Sequence, residues 1–433
     1  MFNKKTFINK KILIYGLGLS GKSCFEFLSK YNNIAIFDDN ASLKNKKNKN
    51  IFFNKNKIFE TLFDFIILSP GIDLKNCKLK NYLKKNKNKI ITELDIFYLI
   101  FTKNVKITIT GTNGKSTTCG MLYQILKSKH QDVRLVGNIG NPPLLEKKIK
   151  KNTIFIIEAS SFQISYSKYF KTDYAAILNL RADHLDRHGN INQYAKAKLK
   201  LIFNQEKNKQ AYVEKNNLVI NKNILNKNIK SKLNKLSYNK EFLFKSRIRN
   251  TYLLDKNNIK NIHFVYQICK KLNISDNQIF KSLNKFKGLK FRNQIICNKK
   301  NLKIINDSKS TSLSSTEALL MSYSNIYWIV GGIFKKGDKF KIHKKYYKNI
   351  TAYIFGKDKK KFENQFRNKI KYKCFINLKN IISTIKKEIK FDKNNKTILF
   401  SPSAASFDQF RNFEHRGEYF NKLIRSLLLY NAK

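Results

Sequence analysis

Gly111-Thr112-Asn113-Gly114-Lys115-Ser116-Thr117 gathers two glycines, a lysine and hydroxyl side chains into one short loop. The backbone N–H groups of such a loop, opening into a helix, receive phosphate oxyanions, and Lys115 adds a point charge. The strict phosphate-loop pattern has a glycine where Ile109 stands, so this is a shortened variant. It implies binding of ATP or GTP. Glu158 closes the apolar run Thr153–Ile157, where a carboxylate commonly holds the nucleotide's metal ion. Asp183-His184-Leu185-Asp186 follows the run Ala175–Leu180, and Tyr194-Ala195-Lys196-Ala197-Lys198 comes next, on a predicted helix. No nucleophile–base triad is visible. Phosphoryl transfer needs none, because positioning and charge neutralisation carry it.

The elements around these residues read as strand, loop, helix. Val105–Thr110 is a β-branched strand and Thr118–Lys127 a helix. A second glycine turn, Gly16-Leu17-Gly18-Leu19-Ser20-Gly21, lies between the strand Lys11–Tyr15 and the helix-like Lys22–Lys30. Ile34–Phe37 follows and ends in Asp38-Asp39, the outline of a mononucleotide-binding βαβ unit. Phe63–Leu68 runs into Ser69-Pro70-Gly71. Farther on, Leu302–Ile305, Ile326–Val330, Ala352–Phe355 and Thr397–Phe400 each close on small or polar residues. Between residues 204 and 245, Ala211–Val213 and Leu218–Ile220 are strand-like pieces in a Lys/Asn-rich stretch. The pattern predicts an α/β protein with parallel sheets. Three domains are expected, at residues 1–95, 96–290 and 291–433.

Composition sets limits on partners. The chain has 433 residues, and 42% are hydrophobic, which excludes a wholly disordered chain. Lys and Arg number 87 against 29 Asp and Glu, a net charge of +58. The basic residues are spread along the whole length, so weak salt-sensitive contact with polyanions is expected and no specific nucleic-acid partner. The six cysteines form no CxxC pair, which fits a reducing cytoplasm and argues against a zinc knuckle. No apolar run approaches the ~18 residues of a membrane span. Lysines before Ile12–Leu19 mimic a signal peptide, but Gly16, Gly18 and Gly21 break the run.

GTNGKST at 111–117, EASSFQ at 158–163, NDSKSTS at 306–312 and SPSAASFDQFRNFEHRG at 401–417, in this order, resemble the Mur ligases. GLGLSG at 16–21, SPGI at 69–72 and GNIG at 137–140 resemble the branch that adds D-glutamate. The resemblance implies a Rossmann-like N-terminal UDP-binding domain, a central P-loop-type ATPase and a C-terminal Rossmann-like domain. It implies a cytoplasmic monomer using ATP and two Mg²⁺ ions to join D-glutamate to UDP-N-acetylmuramoyl-L-alanine through an acyl phosphate. By motif match, Gly111–Thr117 would hold the phosphates, and Ser116 and Glu158 the first Mg²⁺. His184 and a carbamylated Lys198 would serve the second. Leu19, Ser20 and Ser69 would line the UDP pocket, and Asn138 and Ser160 would face the muramoyl part. Asn261, Arg292 and Asp307 would hold the adenosine. Lys309, Thr311, Lys335, Ser406 and Phe413 would receive D-glutamate. The chain departs from the family pattern at Asp255–Asn258, at Lys290-Phe291 and at Asp39-Asn40.

Overall fold

The computed structural model describes residues 4–40, 51–130, 132–237, 246–254, 256–299, 301–335, 337–391 and 395–430. Three sheets follow one another along the chain. The first holds β1 (Lys11–Tyr15), β2 (Asn33–Phe37), β3 (Phe65–Leu68) and β4 (Ile90–Ile91), parallel, in the order β2-β1-β3-β4. The second holds β5 (Val105–Thr110), β6 (Val133–Gly137), β7 (Ile154–Glu158), β8 (Tyr174–Ile177), β9 (Gln210–Glu214) and β10 (Lys232–Leu236). All are parallel, in the order β10-β9-β8-β5-β7-β6. The third holds β11 (Gln294–Lys299), β12 (Leu302–Asn306), β13 (Ile326–Gly331), β14 (Ile350–Phe355), β15 (Lys371–Cys374) and β16 (Lys396–Phe400). Their order is β11-β12-β16-β13-β14-β15, with only β11 antiparallel.

Contacts divide the chain into two compact units, Met1–Lys287 and Gly288–Lys433. The first unit carries two sheets on a shared apolar core. Helix Glu93–Ile100 supplies Leu94, Ile96 and Phe97 to that core, beside Ile12 and Ile14 of β1 and Phe155 and Ile157 of β7. Thr92 and Asp95 form a reciprocal cap at its start, and Asp95 Oδ1 also accepts the N–H groups of Lys168, Tyr169 and Phe170. One buried carboxylate therefore ties the helix to the second sheet's chain.

Strand order fixes where ligands can sit. In the first sheet β1 lies between β2 and β3, and in the second β5 lies between β8 and β7. Chain leaves each of these strands at the point where connection direction reverses, which opens a crevice at the strand's C-terminal end. The two glycine loops occupy those exits. In the third sheet β16 separates β12 from β13, so the ends of all three converge.

One expectation fails. Leu218–Ile220 is not a strand but part of helix Leu218–Ile224. Three apolar residues are too few to separate the two periods. The Asn217 side chain accepts the N–H of Ile220 and caps the helix. Among the described residues no helix is long and apolar enough to cross a membrane.

Candidate active site

A cavity of about 630 Å³ lies within the Met1–Lys287 unit, where the exits of β1, β3, β5, β7 and β8 meet. Leu19, Ser20, Ser69, Lys115, Asn138, Ser160, His184 and Lys198 all line it. The structure thus brings together eight of the residues picked out by motif.

The phosphate loop is built by its glycines and by Asn179. Asn179 O accepts the N–H of Thr112, and Asn179 Oδ1 accepts that of Asn113, each at 2.9 Å. Gly114 adopts φ +83°, and a Cβ there would lie 2.5 Å from Asn261 Oδ1. Only glycine allows both this turn and the seat of the Asn261 amide on the loop. Lys115 Nζ folds over the loop and donates to Gly111 O at 2.9 Å and Thr112 O at 2.7 Å. Thr117 is buried in the first turn of helix Lys115–Lys127.

Glu158 ends β7 beneath the loop and is 1% exposed. Ser116 Oγ donates to its Oε2 at 2.5 Å, and Asn138 Nδ2 to its Oε1 at 2.7 Å. A hydroxyl and a carboxylate in contact under a phosphate loop match the donor set that holds Mg²⁺ in phosphoryl-transfer sites. Ser160 caps helix Ser161–Tyr166 in a reciprocal pair with Gln163.

His184 stands at φ +52°, with its ring 4.9 Å from that of Phe162. Its N–H donates to Asp183 Oδ1 at 3.0 Å. Among the described residues no three His, Cys, Asp or Glu side chains gather into a metal cage. Any ion here would draw most of its ligands from substrate and water, as Mg²⁺ characteristically does.

Lys198 and Lys196 part company on helix Ile191–Phe203. Residues two apart on a helix point roughly 200° away from each other. Lys196 is exposed, whereas Lys198 is 2% exposed. Lys198 Nζ donates to Gly111 O at 3.0 Å and Thr110 Oγ1 at 3.2 Å, and sits 4.9 Å from the Tyr194 ring centre. Burial, and then the charge of Lys115, hold its ammonium well below the ordinary lysine range. A buried, readily deprotonated amine is what carbon dioxide needs to form a carbamate, so the residue fits that modification. Four side chains of this site were not foreseen. They are Arg187 and His188, whose only sequence clue is nearness to His184, and Phe162 and Tyr194, which lie inside the quoted segments at 158–163 and 194–198 without being given a role.

The Gly288–Lys433 unit holds the remaining candidates. Asp307, at the end of β12, is buried and accepts Ser401 Oγ at 2.7 Å and the N–H of Asn293 at 3.0 Å. Burial raises its carboxyl from the ordinary 3.8 to about 6, against the opposing pull of those hydrogen bonds and of Arg292. Lys309 Nζ lies 3.8 Å from the centre of the Phe413 ring. Thr311 and Lys335 are exposed, and Ser406 is buried. Ile333 and Ala405 exchange backbone hydrogen bonds of 2.9 and 3.1 Å, which brings the Lys335 and Ser406 loops side by side. A buried string of hydroxyls runs through this unit. Ser310 Oγ lies 2.8 Å from Thr316 Oγ1, which lies 2.7 Å from Ser401 Oγ and 2.6 Å from Ser403 Oγ. Of the departing segments, residue 255 lies outside the described residues. Asp39 accepts the Tyr15 hydroxyl at 2.8 Å.

Comparison with known proteins agrees with this geometry. The Mur ligase middle domain matches residues 109–279. The UDP-N-acetylmuramoylalanine–D-glutamate ligase of Rickettsia prowazekii is 34% identical, over 96% of this chain and 98% of its own. That of Francisella tularensis subsp. novicida is 34% identical over 96% of both chains. Among solved structures, the UDP-N-acetylmuramate-alanine ligase of Thermotoga maritima is similar with a TM-score of 0.58 and 16% identity, covering 96% of this chain and 100% of that one. The MurF ligase of Thermotoga maritima in complex with ADP gives 0.56 at 15% identity, over 98% and 97%. These two share the fold. The chain belongs to the Mur ligase family, alongside the D-glutamate ligases that it matches along nearly their whole length.

Proposed function

We propose that this protein is an ATP-dependent amide ligase that adds D-glutamate to UDP-N-acetylmuramoyl-L-alanine in peptidoglycan precursor synthesis. The observation that carries the reading is one cavity lined both by the glycine turn and by Lys115 of the phosphate loop. A substrate with a diphosphate at one end and a reacting carboxylate at the other spans such a space. The three domains would be residues 1–95, 96–290 and 291–433, acting in a cytoplasmic monomer.

In this reading the UDP-substrate lies along Leu19, Ser20 and Ser69, with its muramoyl part at Asn138 and Ser160. Gly111–Thr117 hold the ATP phosphates, with Asn261, Arg292 and Asp307 on the adenosine. The substrate carboxylate attacks the γ-phosphorus, the bond to the β,γ-bridging oxygen breaks, and ADP leaves. Lys115 draws negative charge off the transferring group. The D-glutamate amine, placed by Lys309, Thr311, Lys335, Ser406 and Phe413, then attacks the acyl carbon and phosphate departs. Two cations at Lys309 and Lys335 suit an amino acid with two carboxylates. Ser116 and Glu158 would hold one Mg²⁺, and His184 and carbamylated Lys198 a second; such ions neutralise phosphoryl oxygens.

The test is product formation by the purified protein with ATP, UDP-N-acetylmuramoyl-L-alanine and a panel of amino acids. Phosphate release that requires both the UDP-substrate and D-glutamate is expected. Turnover with a different amino acid, or ATP hydrolysis indifferent to either substrate, overturns the assignment.

A further inference from the structure

We propose that Arg187 is a positioning residue that sets the spacing between the Ser69–Ile72 turn and the segment that carries His184; the proposal rests on the ligase reading above. Arg187 lies in the one-turn helix Leu185–His188, three residues after His184 and on the same side of that turn. Its guanidinium reaches a segment 115 residues away in sequence, donating through Nη2 to Ile72 O. Nη1 donates to Gly71 O at 3.3 Å. Nη2 also donates to Tyr166 Oη at 3.2 Å, and the guanidinium carbon sits 4.2 Å from the centre of the Phe162 ring.

Arg187 and its partners lie on three segments that follow separate strands. Gly71 and Ile72 follow β3 of the first sheet, Phe162 and Tyr166 follow β7 of the second, and Arg187 follows β8. Gly71, Ile72, Phe162, His184 and Arg187 all line the cavity. One side chain therefore fastens the turn that carries Ser69 to the segment that carries His184. The fork of donors onto two successive carbonyls, with a ring beneath its plane, is a geometry that arginine provides and lysine does not.

The consequence is specific to a ligand that touches both the turn and the phosphate loop. UDP alone needs only the glycine turn and Ser69. The whole substrate must place its diphosphate there and its carboxylate beside Lys115 at once. If the Ser69–Ile72 turn shifts, the second contact no longer comes at high effective concentration.

The experiment compares wild type, Arg187→Ala, Arg187→Lys and Tyr166→Phe, with thermal midpoints to establish folding. The KM for UDP-N-acetylmuramoyl-L-alanine and the Kd for UDP, by titration calorimetry, are measured in each. Arg187→Ala is expected to raise the KM by roughly 10–100-fold, the scale of lost charge-assisted hydrogen bonds. The Kd for UDP should change less than about 2-fold, Arg187→Lys should recover little, and Tyr166→Phe should raise the KM by about 3-fold. If Arg187→Ala does not fold, the lysine and phenylalanine variants carry the same comparison. An unchanged KM, an equal rise in the Kd for UDP, or full recovery by lysine overturns the proposal. A wild type with no D-glutamate-dependent product sinks the ligase reading itself; an active wild type with an indifferent Arg187→Ala sinks only this inference.

Discussion

The two glycine loops of the Met1–Lys287 unit share a backbone plan and differ in electrostatics. Each leaves a central parallel strand and opens into a helix. The turn after β1 carries no cation before Lys22, and a carboxylate braces it: Asp38 Oδ2 accepts the N–H of Leu17 at 2.6 Å. Beneath its helix Leu19–Leu28, buried Glu93 accepts Ser23 Oγ at 2.6 Å. The loop after β5 has two lysines on it, one of them fully enclosed, over a carboxylate held by a hydroxyl and an amide. Amides and a helix N-terminus suffice to hold a diphosphate that stays put. A phosphoryl group in transit needs movable charge close by. In the proposed reading, the difference separates a grip from a reaction site.

The largest effects should fall on the reacting loop. Lys115→Ala is expected to reduce turnover at least ~100-fold while leaving UDP binding intact, as for loss of a preorganised charge. Unchanged turnover in a folded Lys115→Ala protein would dissolve the contrast between the loops. Lys198→Ala should lose a comparable factor, ~100-fold, and Lys196→Ala less than about 2-fold. Wild-type activity should also fall when bicarbonate is stripped and return when it is restored. Equal effects of the two lysine substitutions would remove the special standing of the buried amine.

The gripping turn should answer to shape. A Cβ at Gly21 would lie 1.9 Å from Gly16 O, a backbone atom that cannot step aside, whereas nothing lies within 4 Å of one at Gly18. Gly21→Ala should cost about 2–4 kcal/mol in denaturant unfolding, and Gly18→Ala well under ~1 kcal/mol. A similar cost at both positions would mean the helix does not press on the turn as described.

The smallest effect concerns Glu93. Burial raises its carboxyl from 4.5 to about 7, despite hydrogen bonds from Ser20 and Ser23. The folded state therefore keeps a proton that the unfolded chain releases. Its contribution falls as pH rises from about 4.5 to about 7 and is flat outside that window. Glu93→Gln should remove this slope, gaining stability on the order of 1–3 kcal/mol relative to wild type at pH 8 compared with pH 4.5. Urea midpoints at the two pH values decide it; a constant difference between the proteins would place the charge cost elsewhere.

Local pattern carried much of the sequence reading. Strand, glycine loop and helix are contiguous, so the phosphate loop and the turn at Gly16 were legible from residue order. Helical geometry allows only one of Lys196 and Lys198 to face inward, and it was the motif match, not the spacing, that picked Lys198. Leu218–Ile220 misled because a three-residue apolar run has no period, and the capping role of Asn217 was overlooked. Arg187 escaped notice for a different reason: its partners, Gly71 and Ile72, become neighbours only through the packing of two sheets. The sharing of one core by the first two sheets is likewise a tertiary fact. Helix Glu93–Ile100, which joins them, shows only as one more apolar stretch.

The hydroxyl string of the Gly288–Lys433 unit has a consequence in proton counting. Each hydroxyl has a single hydrogen to give. With Asp307 ionised, Ser401 spends its hydrogen on the carboxylate, so Thr316 must point its own at Ser401. Thr316 can then only accept from Ser310 and Ser403, whose hydrogens also have Ser315 Oγ at 2.6 Å and the Ser401 carbonyl at 3.2 Å within reach. A proton on Asp307 relaxes this order: the carboxyl can donate to Ser401, which is freed to donate to Thr316, and the sense of the row can run backwards. Ser310 stands between Lys309 and Thr311. The charge on Asp307 thus decides whether Thr316 can offer its hydrogen to that loop, through a carboxylate that the Ser310 side chain never touches.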